Sequence, residues 1–358
     1  MTAAVARPAL DAHLAAIVRR TWPGARVETT QGLAGDASAR RYVRLRLGGG
    51  DAPPTAVAMI LPEDATGASE EITCQAAAPR ELPFSSVGRF LASAGVPVPA
   101  IYADAWRECV LLLEDIGDLT LAAAAERDGV GDRLGEAVDL LAGMAALIAR
   151  PDPSCSAFSS RYDRALIGRE LEIVHTHGLA PSDAGPPRQP GGDPEIESAL
   201  ARLGDAIARE PDVLMHRDYH AWNLHLDRAG RLRVIDFQDA LIGPALYDLA
   251  SLCTDRDSHR FVPPALEAAL VDRFGRGLVD RGGPDVGRGD ALLERYFEAV
   301  AYRTLRVIGR FRFLAIEKGK TGYLRFLEPM GRQTRRALEA TGNRELLRAL
   351  AARSAIFA

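Results

Sequence analysis

The stretch from Val213 to Asp248, VLMHRDYHAWNLHLDRAGRLRVIDFQDALIGPALYD, constrains this chain more than any other. The apolar lead-in Val213–Met215 predicts a short strand. Leu224–Leu226 and Leu232–Ile235 predict two more, joined by the turn residues Asp227-Arg228-Ala229-Gly230. The polar turn carries His216-Arg217-Asp218, then four residues, then Asn223, and Asp236-Phe237-Gln238-Asp239 follows the last strand. A hairpin returns the chain to its starting end, so Asn223 and Asp236, which flank it, are expected at one end of the fold. Asp and Asn also serve turns by bonding their own backbone. Here, though, residue type, spacing and strand context coincide.

H-R-D-x-x-x-x-N followed by an aspartate of D-F-x type is similar to the kinase signature. Phosphoryl transfer needs a carboxylate to position the acceptor hydroxyl and take its proton, and oxygen ligands for metal ions. Asp218 is the expected base. Asn223 and Asp236 are the expected Mg2+ ligands, because Mg2+ takes one or two protein oxygens and completes its shell with phosphates and water. Two departures narrow the match: Gln238 replaces the glycine of D-F-G, and Tyr247-Asp248-Leu249-Ala250 stands where protein kinases have a long activation segment.

The block HRDYHAWN…VIDFQDA…GPALYDLASL resembles the aminoglycoside-phosphotransferase-like small-molecule kinases. Within them it looks most like the bacterial kinases that phosphorylate N-acetylmuramate and N-acetylglucosamine at the anomeric C1 hydroxyl in peptidoglycan recycling. The resemblance implies ATP and Mg2+, supporting roles for His216 and Asp248 beneath the catalytic loop, and His220 among the acceptor contacts. It also implies an α+β, two-lobed protein-kinase-like fold, with a β-rich, nucleotide-covering lobe over 1–114 and a helical lobe over 115–358.

At 358 residues, 47% of them hydrophobic, the chain can fill two packed lobes. A net charge of −4 supplies no basic field, which argues against nucleic acid. No apolar run approaches the length of a membrane span, and the start lacks a signal-peptide pattern. The scattered Cys74, Cys109, Cys155 and Cys253 read as buried thiols of a reducing, cytoplasmic compartment. Composition matters most in one respect. Of 44 basic residues only Lys318 and Lys320 are lysine.

In order along the chain, an amphipathic helix (Leu10, Leu14, Ile17, Val18) precedes the strands Val27–Thr30 and Tyr42–Leu47. Between those strands, Gly35-Asp36-Ala37-Ser38-Ala39-Arg40-Arg41-Tyr42 reads either as a hairpin turn or as small-residue backbone that covers phosphates. Its similarity to the G-D-A-S-x-R-R-Y segment of the anomeric sugar kinases favours the second. Thr55–Leu61 is the next strand, where Val57 would lie near the nucleotide and Met59 stands in place of the usual phosphate-pairing lysine. The helix Phe84–Ala94 has no acidic residue either, so Arg40 or Arg41 is the expected substitute cation. LLLEDIGD, over 111–118, resembles the inter-lobe connection, with backbone around Glu114 and Ile116 meeting adenine.

Beyond Leu119 the pattern turns helical: Leu134–Ala149, Tyr162–His175, Ile196–Arg209, Pro264–Gly277 and Ala291–Ala315. Charges on the 162–175 helix are expected to be solvated, and Pro181–Pro194 is expected to be a surface loop. Arg303, Arg306 and Arg310 recur on one side of the last helix, either as an exposed basic face or as an anion site. The resemblance favours the anion site: Arg303 or Arg306 would meet the lactyl carboxylate of N-acetylmuramate. Glu317-Lys318-Gly319-Lys320-Thr321 lacks the leading glycine of a P-loop and is rejected as one. Choline, homoserine or aminoglycoside kinases of the same superfamily are the alternatives, together with an inactive nucleotide-binding regulator.

Overall fold

The computed structural model describes residues 7–33, 40–62, 81–129, 132–179 and 193–358. Gly35, Asp36, Ala37 and Ser38, Cys74 and most of the 181–194 loop therefore lie outside the described residues. The chain divides into two compact units, Met1–Asp118 with Leu226–Gln238, and Leu119–His225 with Asp239–Ala358. This division differs from a single cut after 114, because most of the hairpin that follows the turn at 216–223 groups with the first unit.

In the first unit, α1 (Arg7–Thr21) precedes β1 (Arg26–Leu33), β2 (Arg41–Gly48) and β3 (Thr55–Ile60). Then come α2 (Pro83–Ser93), β4 (Ile101–Ala105) and β5 (Val110–Glu114). The strands form one antiparallel sheet in the order β1-β2-β3-β5-β4. Alternation sorts its faces. Val43, Leu45, Leu47, Ala56, Ala58, Val110 and Leu112 share a core with Leu14, Ile17 and Val18 of α1. The opposite face carries Tyr42 across from Met59 and Arg44 across from Val57.

The hairpin Leu224–Leu226/Leu232–Val234 is closed by its own turn. Asp227 Oδ1 accepts from the N–H groups of Ala229 (2.9 Å) and Arg231 (3.0 Å), and Gly230 takes φ +74°. Arg233 explains why the hairpin joins the sheet. Its guanidinium is buried and donates to both carboxylate oxygens of Glu114 (2.8 and 2.5 Å) and to Val98 O (2.9 Å). The Val234 N–H donates to Pro97 O (3.0 Å).

The second unit is helical around a two-stranded ladder, Asp212–Met215 antiparallel to Leu241–Pro244. Side-chain oxygens of Thr120, Asp163 and Asp193 cap the helices that follow them. The longest helix, Gly289–Lys318, ends at Gly319 with φ +67°, so this segment is a helix stop and not a phosphate loop. The helix also lies close against the one-turn π-helix Val174–Gly178. A Cβ on Gly309 would stand 3.0 Å from Ile173 O and 3.1 Å from Val174 N. No helix among the described residues is long and apolar enough to cross a membrane.

Candidate active site

The turn after Met215 is held from below. Asp248, near the start of the helix Tyr247–Thr254, accepts the His216 backbone N–H on Oδ2 (2.5 Å) and is also bonded to the Tyr219 backbone. Burial pushes the Asp248 carboxyl up to about 6, against the pull of His216 and these N–H groups. The Tyr219 hydroxyl donates to Ala137 O (2.8 Å) and pins the loop to the helix Arg133–Ala145. Between these anchors Arg217 adopts φ +80°, a left-handed conformation that costs a non-glycine residue about 1–3 kcal/mol. Its buried guanidinium meets Glu170 Oε1 at 3.0 Å.

The Asp218 side chain remains 36% exposed while charged groups gather behind it. Burial among protein atoms opposes its ionisation. Arg306 and Arg303, helped by His220 and Arg217, outweigh that and hold the carboxyl down, to about 2. Asn223 donates its amide Nδ2 to Asp218 O (2.9 Å), so that bond does not use its Oδ1. That leaves an amide oxygen of the type Mg2+ accepts. His220 is 6% exposed, and burial lowers its pKa to about 4, so it is neutral at pH 7.

The long helix supplies the two arginines, and neither is an exposed basic face. Arg303 is 2% and Arg306 8% exposed. Arg303 Nη2 donates to Ser251 Oγ (3.0 Å) and Asp255 Oδ1 (3.1 Å) and lies 3.9 Å from Asp218 Oδ1. Arg306 Nε meets Glu170 Oε2 at 2.8 Å. Glu170 also accepts from the hydroxyls of Tyr162 and Tyr302. The expectation that charges on the 162–175 helix are solvated is thus corrected at Glu170, which is 4% exposed. Its spacing held the signal: Glu170 follows Leu166 by four residues and Ile167 by three, on the buried side of Arg164–Ile173. Asp255 was also missed, and nothing local in the sequence marks it.

The remaining site residues belong to the first unit. Asp236 takes φ +63°, and its Oδ1 accepts from Gln238 Nε2 (2.9 Å), so the residue that replaces glycine orients the aspartate. Asp236 also acts electrostatically on Tyr42, which is hydrogen-bonded to Arg40. Arg40, two residues from Tyr42, belongs by alternation to the Tyr42–Met59 face, and Arg41 to the α1 face. Met59 is fully buried. Arg44 grips the exit of β5, bonding both carboxylate oxygens of Asp115 and of Asp118 at 2.8–2.9 Å. Glu114 serves Arg233 with its side chain, and Ile116 is 9% exposed. Cys155 and Cys253 are buried as expected, whereas Cys109, at φ +59°, is only half-buried. Among the described residues no group of three or more His, Cys, Asp or Glu gathers into a metal cage.

Comparison with known proteins places this geometry. Residues 29–289 match the phosphotransferase enzyme family. The N-acetylmuramate/N-acetylglucosamine kinase of Pseudomonas aeruginosa is 31% identical over 295 residues, covering 81% of this chain and 78% of that protein. The kinase of the same name from Caulobacter vibrioides is 29% identical over 315 residues, 83% and 84% of the two chains. A spectinomycin phosphotransferase, solved with ADP and spectinomycin, superimposes with a TM-score of 0.54 at 13% identity over 94% of this chain and 98% of its own. That likeness speaks for the two-lobed α+β kinase-like fold alone. This chain belongs to the phosphotransferase enzyme family and is a phosphotransferase with an alcohol group as its acceptor.

Proposed function

We propose that this protein transfers the γ-phosphoryl group of ATP to the anomeric C1 hydroxyl of N-acetylmuramate or N-acetylglucosamine, giving the sugar 1-phosphate for cell-wall recycling. The carrying observation is Asp218, an accessible carboxylate near the start of the H-R-D-x-x-x-x-N turn, kept ionised by buried arginines. A carboxylate so acidic is a weak base. It suits an acceptor whose proton leaves late in a loose transition state, and the anomeric hydroxyl of a reducing sugar is more acidic than an ordinary alcohol. Asp218 would accept its hydrogen bond and then its proton. The names of the similar kinases support the choice of sugar.

Asn223 and Asp236 fit Mg2+ through an amide and a carboxylate oxygen, and would hold it against the nucleotide phosphates, whose charge it offsets. Arg40 is the cation proposed to replace the strand lysine, from its place beside Tyr42. Val57 and Met59, the backbone near Glu114 and Ile116, and residues 35–38 complete the proposed nucleotide side. His220 stands with Asp218 on the acceptor side.

The test is a kinase assay on a panel of amino sugars and small alcohols, with NMR of the product. Phosphorus coupled to the C1 proton of an N-acetyl amino sugar is the expected outcome. Phosphate on another hydroxyl, or turnover confined to choline, homoserine or aminoglycosides, would replace this reading.

A further inference from the structure

Arg303 stands out because its burial and its position argue in different directions. A residue waiting for a charged substrate should show some of its guanidinium to solvent. Arg303 is 2% exposed, and its Nε and Nη1 are sealed from water without a hydrogen-bond partner among the described residues. A buried cation that meets so few acceptors is costly to keep. What it does have is a place. Nη2 sits between Ser251 Oγ, Asp255 Oδ1 and, at ion-pair distance, Asp218 Oδ1, with the Tyr247 ring 5.8 Å from the guanidinium carbon. Asp255 is 2% exposed and carries no other hydrogen bond on Oδ2. Arg306 meets Glu170 directly and acts on Asp218 through its charge.

We infer that Arg303 is a positioning residue for the catalytic carboxylate: Asp255 and Ser251 fix its guanidinium, which orients Asp218 from behind, away from the acceptor. The geometry thereby separates it from the lactyl-carboxylate contact expected of it from the sequence. A substrate carboxylate would have to pass Asp218 to reach a side chain with almost no surface. It would also be competing with Asp255, which already holds that cation. The sugar is then held by other groups, and Arg303 acts on kcat through Asp218 whatever substituent the acceptor carries. A charge-assisted contact of this kind is worth about ten- to hundredfold in rate.

The inference uses the proposed reaction only through its assay, so kinetics are taken with whichever acceptor the wild-type enzyme turns over fastest. Failure of the amino-sugar reading then leaves this test intact. Arg303→Met leaves the buried Asp255 with Arg256, 3.4 Å from its Oδ2, as its remaining cation and endangers folding. Arg303→Met/Asp255→Asn, which removes both charges, and Arg303→Lys accompany it, each checked for an unchanged melting profile. The double variant should lose about ten- to hundredfold in kcat with acceptor and ATP KM nearly unchanged. Arg303→Lys, which returns the charge, should recover part of that. On an Asp218→Asn background the same changes should cost almost nothing more, because the group they act through is gone. A rise in acceptor KM without loss of kcat, or full additivity with Asp218→Asn, would overturn the inference and return Arg303 to direct substrate contact. A well-folded double variant with wild-type kcat would overturn it as well.

Discussion

Asp218 in the turn and Asp248 on the helix beneath it sit in opposite electrostatic surroundings. Asp218 is partly exposed and backed by arginines, and Asp248 is buried under two backbone N–H groups. Asp218→Asn should cut turnover by at least ~10²-fold, the lower end for a general base. Nucleotide affinity should barely change, since no ATP contact is assigned to Asp218. Equilibrium binding of ATP beside steady-state rates checks both halves, and turnover within a few-fold of wild type would move the base elsewhere. For Asp248 the sign runs the other way. Burial raises its folded pKa to about 6, from an ordinary aspartate value near ~4. Over that interval the folded protein binds more protons than the unfolded one. The contribution of Asp248 is full below pH ~4 and is lost as pH rises through about 6. Asp248→Asn keeps an acceptor oxygen for the His216 N–H and does not titrate. The drop in Tm between pH 5 and pH 7.5 should therefore be smaller in this variant than in wild type, and equal slopes would refute the assignment.

Among the elements, β2 favours Arg40 over Arg41 as the proposed replacement for the missing lysine. Arg40 lies on the face of Tyr42 and Met59, and Arg41 is exposed on the side where α1 packs. Arg40→Ala should raise the ATP KM or lower kcat by about ten- to hundredfold, and Arg41→Ala should do neither. Equal effects of both would show that strand alternation does not extend to Arg40. The turn and hairpin were legible because kinase chemistry demands fixed residue types at fixed spacing, and a hairpin between two apolar runs leaves few other folds; the roles of the turn residues are proposals. The helix and strand cores were legible through periodicity, from Leu14-Ile17-Val18 to Thr55–Leu61. Arg233 was not, because its partner Glu114 lies 119 positions away and nothing near either residue announces the pair. Glu170, Asp255 and the burial of Arg303 escaped for a related reason. A charge on a helix is solvated by default, and only the assembled unit shows opposite charges meeting in its interior.

At the scale of the whole molecule, the near-absence of lysine has a chemical consequence. Lysine occurs at two positions, both after the long helix begins its last turn, and all other side-chain cations at neutral pH are arginine. In the proposed reaction, phosphate recognition would then rest on guanidinium groups, on backbone N–H groups and on Mg2+. Arginine cannot lose its proton at any pH the fold survives, and its planar fork binds phosphate through two parallel bonds. Two reagents should separate these possibilities. Acetylation of primary amines reaches Lys318, Lys320 and the N-terminus, and should leave activity near that of the untreated enzyme. An arginine-directed dicarbonyl should inactivate it, and ATP should slow the loss if the guanidinium responsible is the one beside Tyr42. Repeating the dicarbonyl treatment on Arg40→Ala, in whatever activity remains, locates the effect, since ATP should no longer protect that variant. Inactivation by acetylation that ATP prevents would place Lys318 or Lys320 at the phosphates, and would remove Arg40 from the role proposed for it.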